Sequence, residues 1–432
     1  MKKRILCGIS AAMTAICLYG QSVTKSGSIS PYSQFGLGIL ADQTQVTERG
    51  MAGTGIALRS GIEVNTLNPA SYSAVDSLTM LFDAGLSGQI TNFKEAGNSV
   101  NARSASFDYV AGLFRLRKHL GVSFGLLPFS NVNYDYDGSI RLDNTMGIVD
   151  LNSSGTGSFR QVYVGVGWNP VSHLSVGVNA AYLWGSYSRT VSSIATATIN
   201  SLTKDYHTTI NSYNLTFGLQ WQQPLGKKDV LTLGATLGVG HKLGADATCD
   251  ILNINTATLV SDTTSFTVPN AFELPFTYGV GMAWNHRHKL TLAADFTLQK
   301  WGSLSFPHYD DNGSRYELQK GLLSDRTRLS LGVDYVPNFM SVSNYLHRVH
   351  YRAGVAYTTP YIKVNGQDGP KQFCLSAGLG LPLQNKWGDR SVLNISAQWE
   401  RTSASQLITE NAFRLSIGLT FNERWFAKWR VE

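Results

Sequence analysis

The stretch YNLTFGLQW, residues 213–221, alternates without a break. Tyr213, Leu215, Phe217, Leu219 and Trp221 fall on one face, and Asn214, Thr216, Gly218 and Gln220 on the other. Successive side chains of a strand point to opposite sides, so this is a strand with one greasy face and one small, polar face. The pattern repeats at 231–239, 290–298, 329–335, 373–381, 393–399 and 413–421. Counted along the chain, fourteen segments carry it, at about 78–90, 104–116, 118–130, 157–169, 172–189, 207–223, 228–244, 272–285, 288–302, 324–337, 347–360, 371–383, 390–403 and 411–422. An even number of antiparallel strands suits a single-chain outer-membrane barrel.

The connections carry a separate signal. Those after even-numbered segments are mostly short (NPVS, QPLGKK, NHRH), whereas 131–156, 190–206, 245–271 and 303–323, after odd-numbered ones, are long and read as loops. Outer-membrane barrels alternate short periplasmic turns with long external loops in this way. Aromatic residues fall at two levels. Trp168, Trp221, Trp284, Tyr335 and Phe421 stand before the short turns, and Trp184, Trp301, Tyr357 and Trp399 lie toward the other end. Two such levels fit the girdles at the two lipid–water interfaces. By the same alternation, Asp295, Arg328, Asp334, Arg352, Glu400 and Arg414 point into the lumen, away from lipid.

Composition agrees. Charged residues are 15% of the chain, Gly numbers 42 and aromatics are 11%, yet no later segment approaches eighteen continuous apolar residues. A membrane protein of this kind spans as a closed barrel, because lipid leaves no backbone group unpaired. Residues 1–20 read as a secretory signal, with Lys2, Lys3 and Arg4 ahead of a short apolar run. Its removal would leave a net charge of +7 − 3 = +4, which indicates no nucleic-acid partner. Cys249 and Cys374 remain, and nothing in the sequence pairs them.

Residues 21–77 alternate poorly and are rich in Gly, with Asn68-Pro69 where a strand needs ladder donors. Fourteen strands enclose a lumen wider than side chains alone fill. The expectation is therefore a signal peptide at 1–20, an N-terminal hatch at 21–77 inside the lumen, an all-β transmembrane barrel at 78–422, and a periplasmic or interfacial tail at 423–432.

With GMAGTGIAL at 50–58, NPAS at 68–71 directly before the first strand, LPF at 127–129 and fourteen segments, the chain resembles the FadL family of outer-membrane transporters. The resemblance implies a Gram-negative outer membrane, here of Bacteroidota type, and a hatch built around Asn68, Pro69 and Ala70. It also implies a kink in the third strand, at Pro128 and Phe129, that opens the wall sideways. A hydrophobic, fatty-acid-like ligand would then leave laterally after a hatch movement. Outer-membrane lipid and lipopolysaccharide are the surroundings it implies. The same resemblance leaves open a non-transporting subunit of an outer-membrane secretion or assembly machine, with other outer-membrane proteins as partners.

Other motifs carry less. GVSFG at 121–125 lies in a strand, not in the strand–turn–helix setting a nucleophile elbow needs. YDYDG at 134–138 and HYDDNG at 308–313 read as turns. No enzyme, cofactor or metal site is expected.

Overall fold

The computed structural model describes residues 25–26, 29–77, 79–95, 97–141, 148–195, 200–255, 258, 260–310, 313–341, 343–384 and 390–424. The expected signal segment and the end of the tail lie outside these residues. Fourteen antiparallel strands form the barrel. They are β1 Thr79–Glu95, β2 Asn98–Arg117, β3 Leu120–Arg141, β4 Ile148–Val171, β5 Leu174–Ala195, β6 Asn200–Leu225 and β7 Asp229–Gly238. Then follow β8 Thr277–His286, β9 Leu290–Gln299, β10 Arg326–Tyr335, β11 His350–Thr358, β12 Lys371–Gln384, β13 Arg390–Ser403 and β14 Thr409–Arg424. β14 pairs with β1 from Thr409–Lys94 to Arg424–Thr79 and closes the wall. Each of the fourteen expected segments overlaps one of these strands. The last runs two residues past 422.

Alternation sets the two faces. Phe217, Leu219 and Trp221 are exposed outward while Gln220 is buried inward, and β1 repeats this with Phe82, Leu86 and Ile90 out and Asp83, Ser87 and Gln89 in. Trp168, Trp221, Tyr335 and Phe421 are exposed outside at the end where the strands are joined by short turns. Trp284, at the same level, is half-buried with its ring 5.6 Å from that of His286. Trp301 departs from expectation: it is 2% exposed, packs against Tyr361 at 4.9 Å and donates from Nε1 to Gln299 Oε1 at 3.1 Å. The 3₁₀ turn Trp301–Ser303 ends the strand there and rotates the indole inward.

Most of the described residues in the long connections lie in strands, not loops. Residues 131–141, 148–156, 190–195 and 200–206 continue β3 to β6, which reach up to 26 residues where about ten cross a bilayer. Residues 247–255 and 260–268 form a hairpin added to β6, and 305–310 with 315–320 form another. These stretches escape detection because Ser, Thr and Asn replace apolar residues once both sheet faces leave the lipid. Their inner faces build an aromatic core across this hairpin end of the lumen. Tyr187 packs edge-on against Phe159 at 6.1 Å and Phe272 at 6.2 Å, and Phe272 meets Phe306 at 5.5 Å. Cys249 and Cys374 are both buried, and no disulfide joins them.

Candidate functional site

Residues 29–77 pack against the inner faces of the strands, and three features build the contact. The first is the Asn68-Pro69-Ala70 stretch. Asn68 caps the 3₁₀ turn Pro69–Ala74 by accepting from Ala70 N, at 3.1 Å. Its Nδ2 donates to the carbonyls of Ile56 at 2.8 Å and Leu219 at 3.2 Å. Asparagine supplies both the acceptor and the two donors that this needs. Pro69 starts the turn without a wasted N–H.

The second feature lies under that turn. Gly121, Gly167, Gly177 and Gly218 stand directly opposite one another across β3, β4, β5 and β6. A methyl on Gly177 would lie 2.3 Å from the carbonyl carbon of Pro69, and one on Gly121 would lie 2.0 Å from the oxygen of Tyr72. The row lets backbone touch backbone. It continues around the barrel, with Gly234 and Gly281 against Ile56 and Gly332 and Gly354 against Met51. A glycine inside a strand marks such a close approach.

The third feature is charge. Asp295 Oδ2 accepts from the amides of Gly55 at 2.6 Å and Ile56 at 2.8 Å. Arg328 pairs with Asp42 at 2.6 Å and donates to Ala52 O at 2.9 Å. Arg352, 4% exposed, binds Glu63 at 2.9 Å and Asn394 at 2.7 Å, with Asp334 3.7 Å from its Nε. Arg414 donates twice to Gln89 Oε1 and lies 3.9 Å from Glu400. All six lumen charges expected from alternation thus meet residues 42–63 or one another. Sequence reasoning missed Arg49, which pairs with Asp108 at 2.5 Å, both buried. Burial alone would raise the Asp42 pKa, but Arg328, Arg414 and Arg49 outweigh it and hold that carboxyl well below the usual range. Burial pushes the Glu48 carboxyl well above its usual range, and nearby Glu63 adds to the rise.

The wall is not uniformly paired. β2 and β3 pair from the turn up to Val110–Leu126 and then part. Two residues on, a bulge between Pro128 and Ser130 leaves Phe129 without a partner on β4. Proline donates no ladder hydrogen bond, so the break falls where the sequence cannot continue pairing. The freed edge of β3 takes Ile39–Leu40, and the freed edge of β2 takes Lys25–Ser26 at Ser104–Ala105. Ala41 N donates to Phe129 O at 2.9 Å, and Tyr361 donates to Gly38 O.

Two cavities of about 240 Å³ each lie inside. One is central, bordered by Asn179, Asp295 and Leu127. The other reaches the break, with Phe107 on one side and Pro128 on the other. Leu40, Ala41, Asp42 and Arg326 border both and form the partition. Ser123 of GVSFG is buried in β3, with Oγ donating to Gly112 O at 2.9 Å. No group of three or more metal-binding side chains occurs among the described residues.

Solved structures share this architecture. A Pseudomonas putida toluene transporter, TodX, matches at TM-score 0.61 and 15% identity, covering 90% of this chain and 99% of that one. A Pseudomonas aeruginosa FadL homologue matches at TM-score 0.59 and 13% identity, covering 89% and 99%. The CymD monoaromatic hydrocarbon channel matches at TM-score 0.57 and 16% identity, covering 91% and 100%. The fold is therefore that of FadL-type barrels. No curated protein matches the sequence. A family model described as BamG matches residues 1–432.

Proposed function

The chain belongs to the BamG family, and on its FadL-type barrel we propose that it binds a hydrophobic, fatty-acid-like molecule and releases it sideways through the wall. The observation that carries this reading is the parting of β2 from β3 above Val110–Leu126, with a cavity directly behind it. Each cavity alone is small, but joined they enter the range of about 300–1,000 Å³ usual for small-molecule sites. Joining them requires displacement of residues 40–42. In this reading Arg326, at the border of both, takes the acid head, while Leu127 and Phe129 take the tail. The drive is diffusion together with apolar burial, about 25 cal/mol per Å².

The hatch that moves is accordingly the strap at 29–42. Residues 50–74 act as a fixed plug, since their backbone rests on glycine around the wall. Pro128 and Phe129 are the gate, and the membrane is a Gram-negative outer membrane, entered after cleavage of residues 1–20.

The test is uptake of a labelled long-chain acid by cells carrying Pro128→Val, with and without Arg326→Gln. Pro128→Val is expected to lower uptake, and Arg326→Gln to weaken preference for the acid over its methyl ester. Uptake unchanged in both removes the lateral route.

A second reading makes the chain a non-transporting subunit of an outer-membrane protein secretion or assembly machine. Two observations favour it: the whole-chain family match, which is to a model described as BamG and not as FadL, and the polar, charged lining beside the wall break. Stoichiometric protein partners and no bound ligand after gentle extraction would establish it over the first.

A further inference from the structure

One connection at the short-turn end differs from its neighbours. Residues 118–119, 172–173, 226–228 and 287–289 are tight turns, but 336–349, between β10 and β11, is several times longer. It exposes Phe339 by 50%, Met340 by 73%, Tyr345 by 42% and Leu346 by 61%. Exposed apolar groups clustered in this way mark a contact surface.

The connection is folded. Asn338 N donates to His347 O at 2.7 Å, and Asn344 caps the 3₁₀ turn Tyr345–Arg348. The Arg348 guanidinium lies 5.3 Å from the Tyr345 ring centre. The whole unit is fastened to the outer side of the barrel, because the Tyr351 hydroxyl donates to Leu346 O at 3.2 Å. Tyr351 stands opposite Tyr335 in the ladder, and both are exposed on the outer face. Leu346 is therefore held beside the outer aromatic level, and Phe339 and Met340 are exposed on the same connection.

Charge at this end points the same way. The described hairpin connections there contain Lys118, Lys227, Lys228, Arg287, Lys289 and Arg348 and no Asp or Glu; the acids nearby include Asp76, ahead of β1, and Asp229, which is paired with His286. These cations are spread over separate turns around the circumference. A protein partner meets one patch, whose buried centre is depleted of charge. A membrane plane meets the whole rim at once, and anionic headgroups attract juxtamembrane Lys and Arg.

We propose that residues 336–341 and 343–349 form a lipid wedge. Phe339, Met340 and Leu346 insert among the phospholipids of the leaflet at the turn end, and the basic rim holds anionic headgroups around it. This inference stands apart from the transport reading.

The experiment places a benzophenone amino acid at Met340 of the full chain. It is illuminated in native membranes and in vesicles of phosphatidylethanolamine with phosphatidylglycerol. Met340 is exposed, so the barrel should fold around the probe, and heat-dependent gel mobility reports that folding. The expected result is an adduct of phospholipid mass in both settings, and none with the probe at exposed Thr264 on the opposite end. An adduct with a protein, or no lipid adduct in vesicles, overturns the wedge. The triple change Lys227→Gln, Lys228→Gln, Lys289→Gln is expected to lower co-purified phosphatidylglycerol relative to phosphatidylethanolamine at least roughly twofold. An unchanged ratio overturns the role of the rim.

Discussion

Replacing Gly354 with alanine puts one methyl between β11 and the backbone of Met51. The new carbon would lie 2.3 Å from the Met51 carbonyl carbon, 2.6 Å from its oxygen and 2.6 Å from Ala52 N. All three are backbone atoms, and Ala52 N is itself held by Ser376 Oγ at 2.7 Å. No flexible tip is available to move aside, so wall or plug must shift. Overpacking of this kind costs about 1–3 kcal/mol. At tenfold per 1.4 kcal/mol, the open population of the plug rises about 5- to 150-fold. Amide hydrogen exchange at Met51 and Ala52, in detergent or nanodiscs, reads that population directly. Gly88→Ala is the control, because a methyl there meets nothing within 4 Å. Equal exchange in the two variants would refute the argument that glycine is present for contact.

Other contacts inside the barrel give three further outcomes. Asp108→Asn strands Arg49 in a buried site and is expected to cost about 3–5 kcal/mol in denaturant titrations, while Arg49→Met with Asp108→Leu recovers most of it. Glu48 has a raised folded-state pKa, so its contribution is fully present below the unfolded value and lost as pH rises through the folded one. Plug protection, measured relative to the intrinsic base-catalysed exchange rate, should therefore fall as pH climbs above the ordinary Glu range, and Glu48→Gln should remove that fall. Phe272→Ala, in the aromatic core at the hairpin end, is expected to cost about 3–5 kcal/mol and to expose the 305–320 hairpin to protease.

The barrel was legible because lipid enforces a strict period of two. Phe217, Leu219 and Trp221 must face outward, and nothing else places them so regularly. That constraint ends with the lipid, which is why 190–206 and 245–271 read as loops although 190–195, 200–206, 247–255 and 260–268 are strands. Trp301 was misplaced because a 3₁₀ turn interrupts the alternation at that residue. The lumen charges were legible as inward positions, but their partners were not. Arg352 meets Glu63 from 289 positions away, and no local pattern encodes such a pairing. The glycine row had a signal that went unused: Gly167, Gly177 and Gly218 sit at inward positions of strands whose outward residues are large.

The central claim is that the chamber behind the break in the wall holds a hydrophobic molecule. Native mass spectrometry of the protein, gently extracted from its own outer membrane, tests it most directly. The account predicts a single barrel carrying one lipid-like adduct, weakened by Arg326→Gln. A barrel without adduct, leaving the membrane with stoichiometric protein partners, would contradict it.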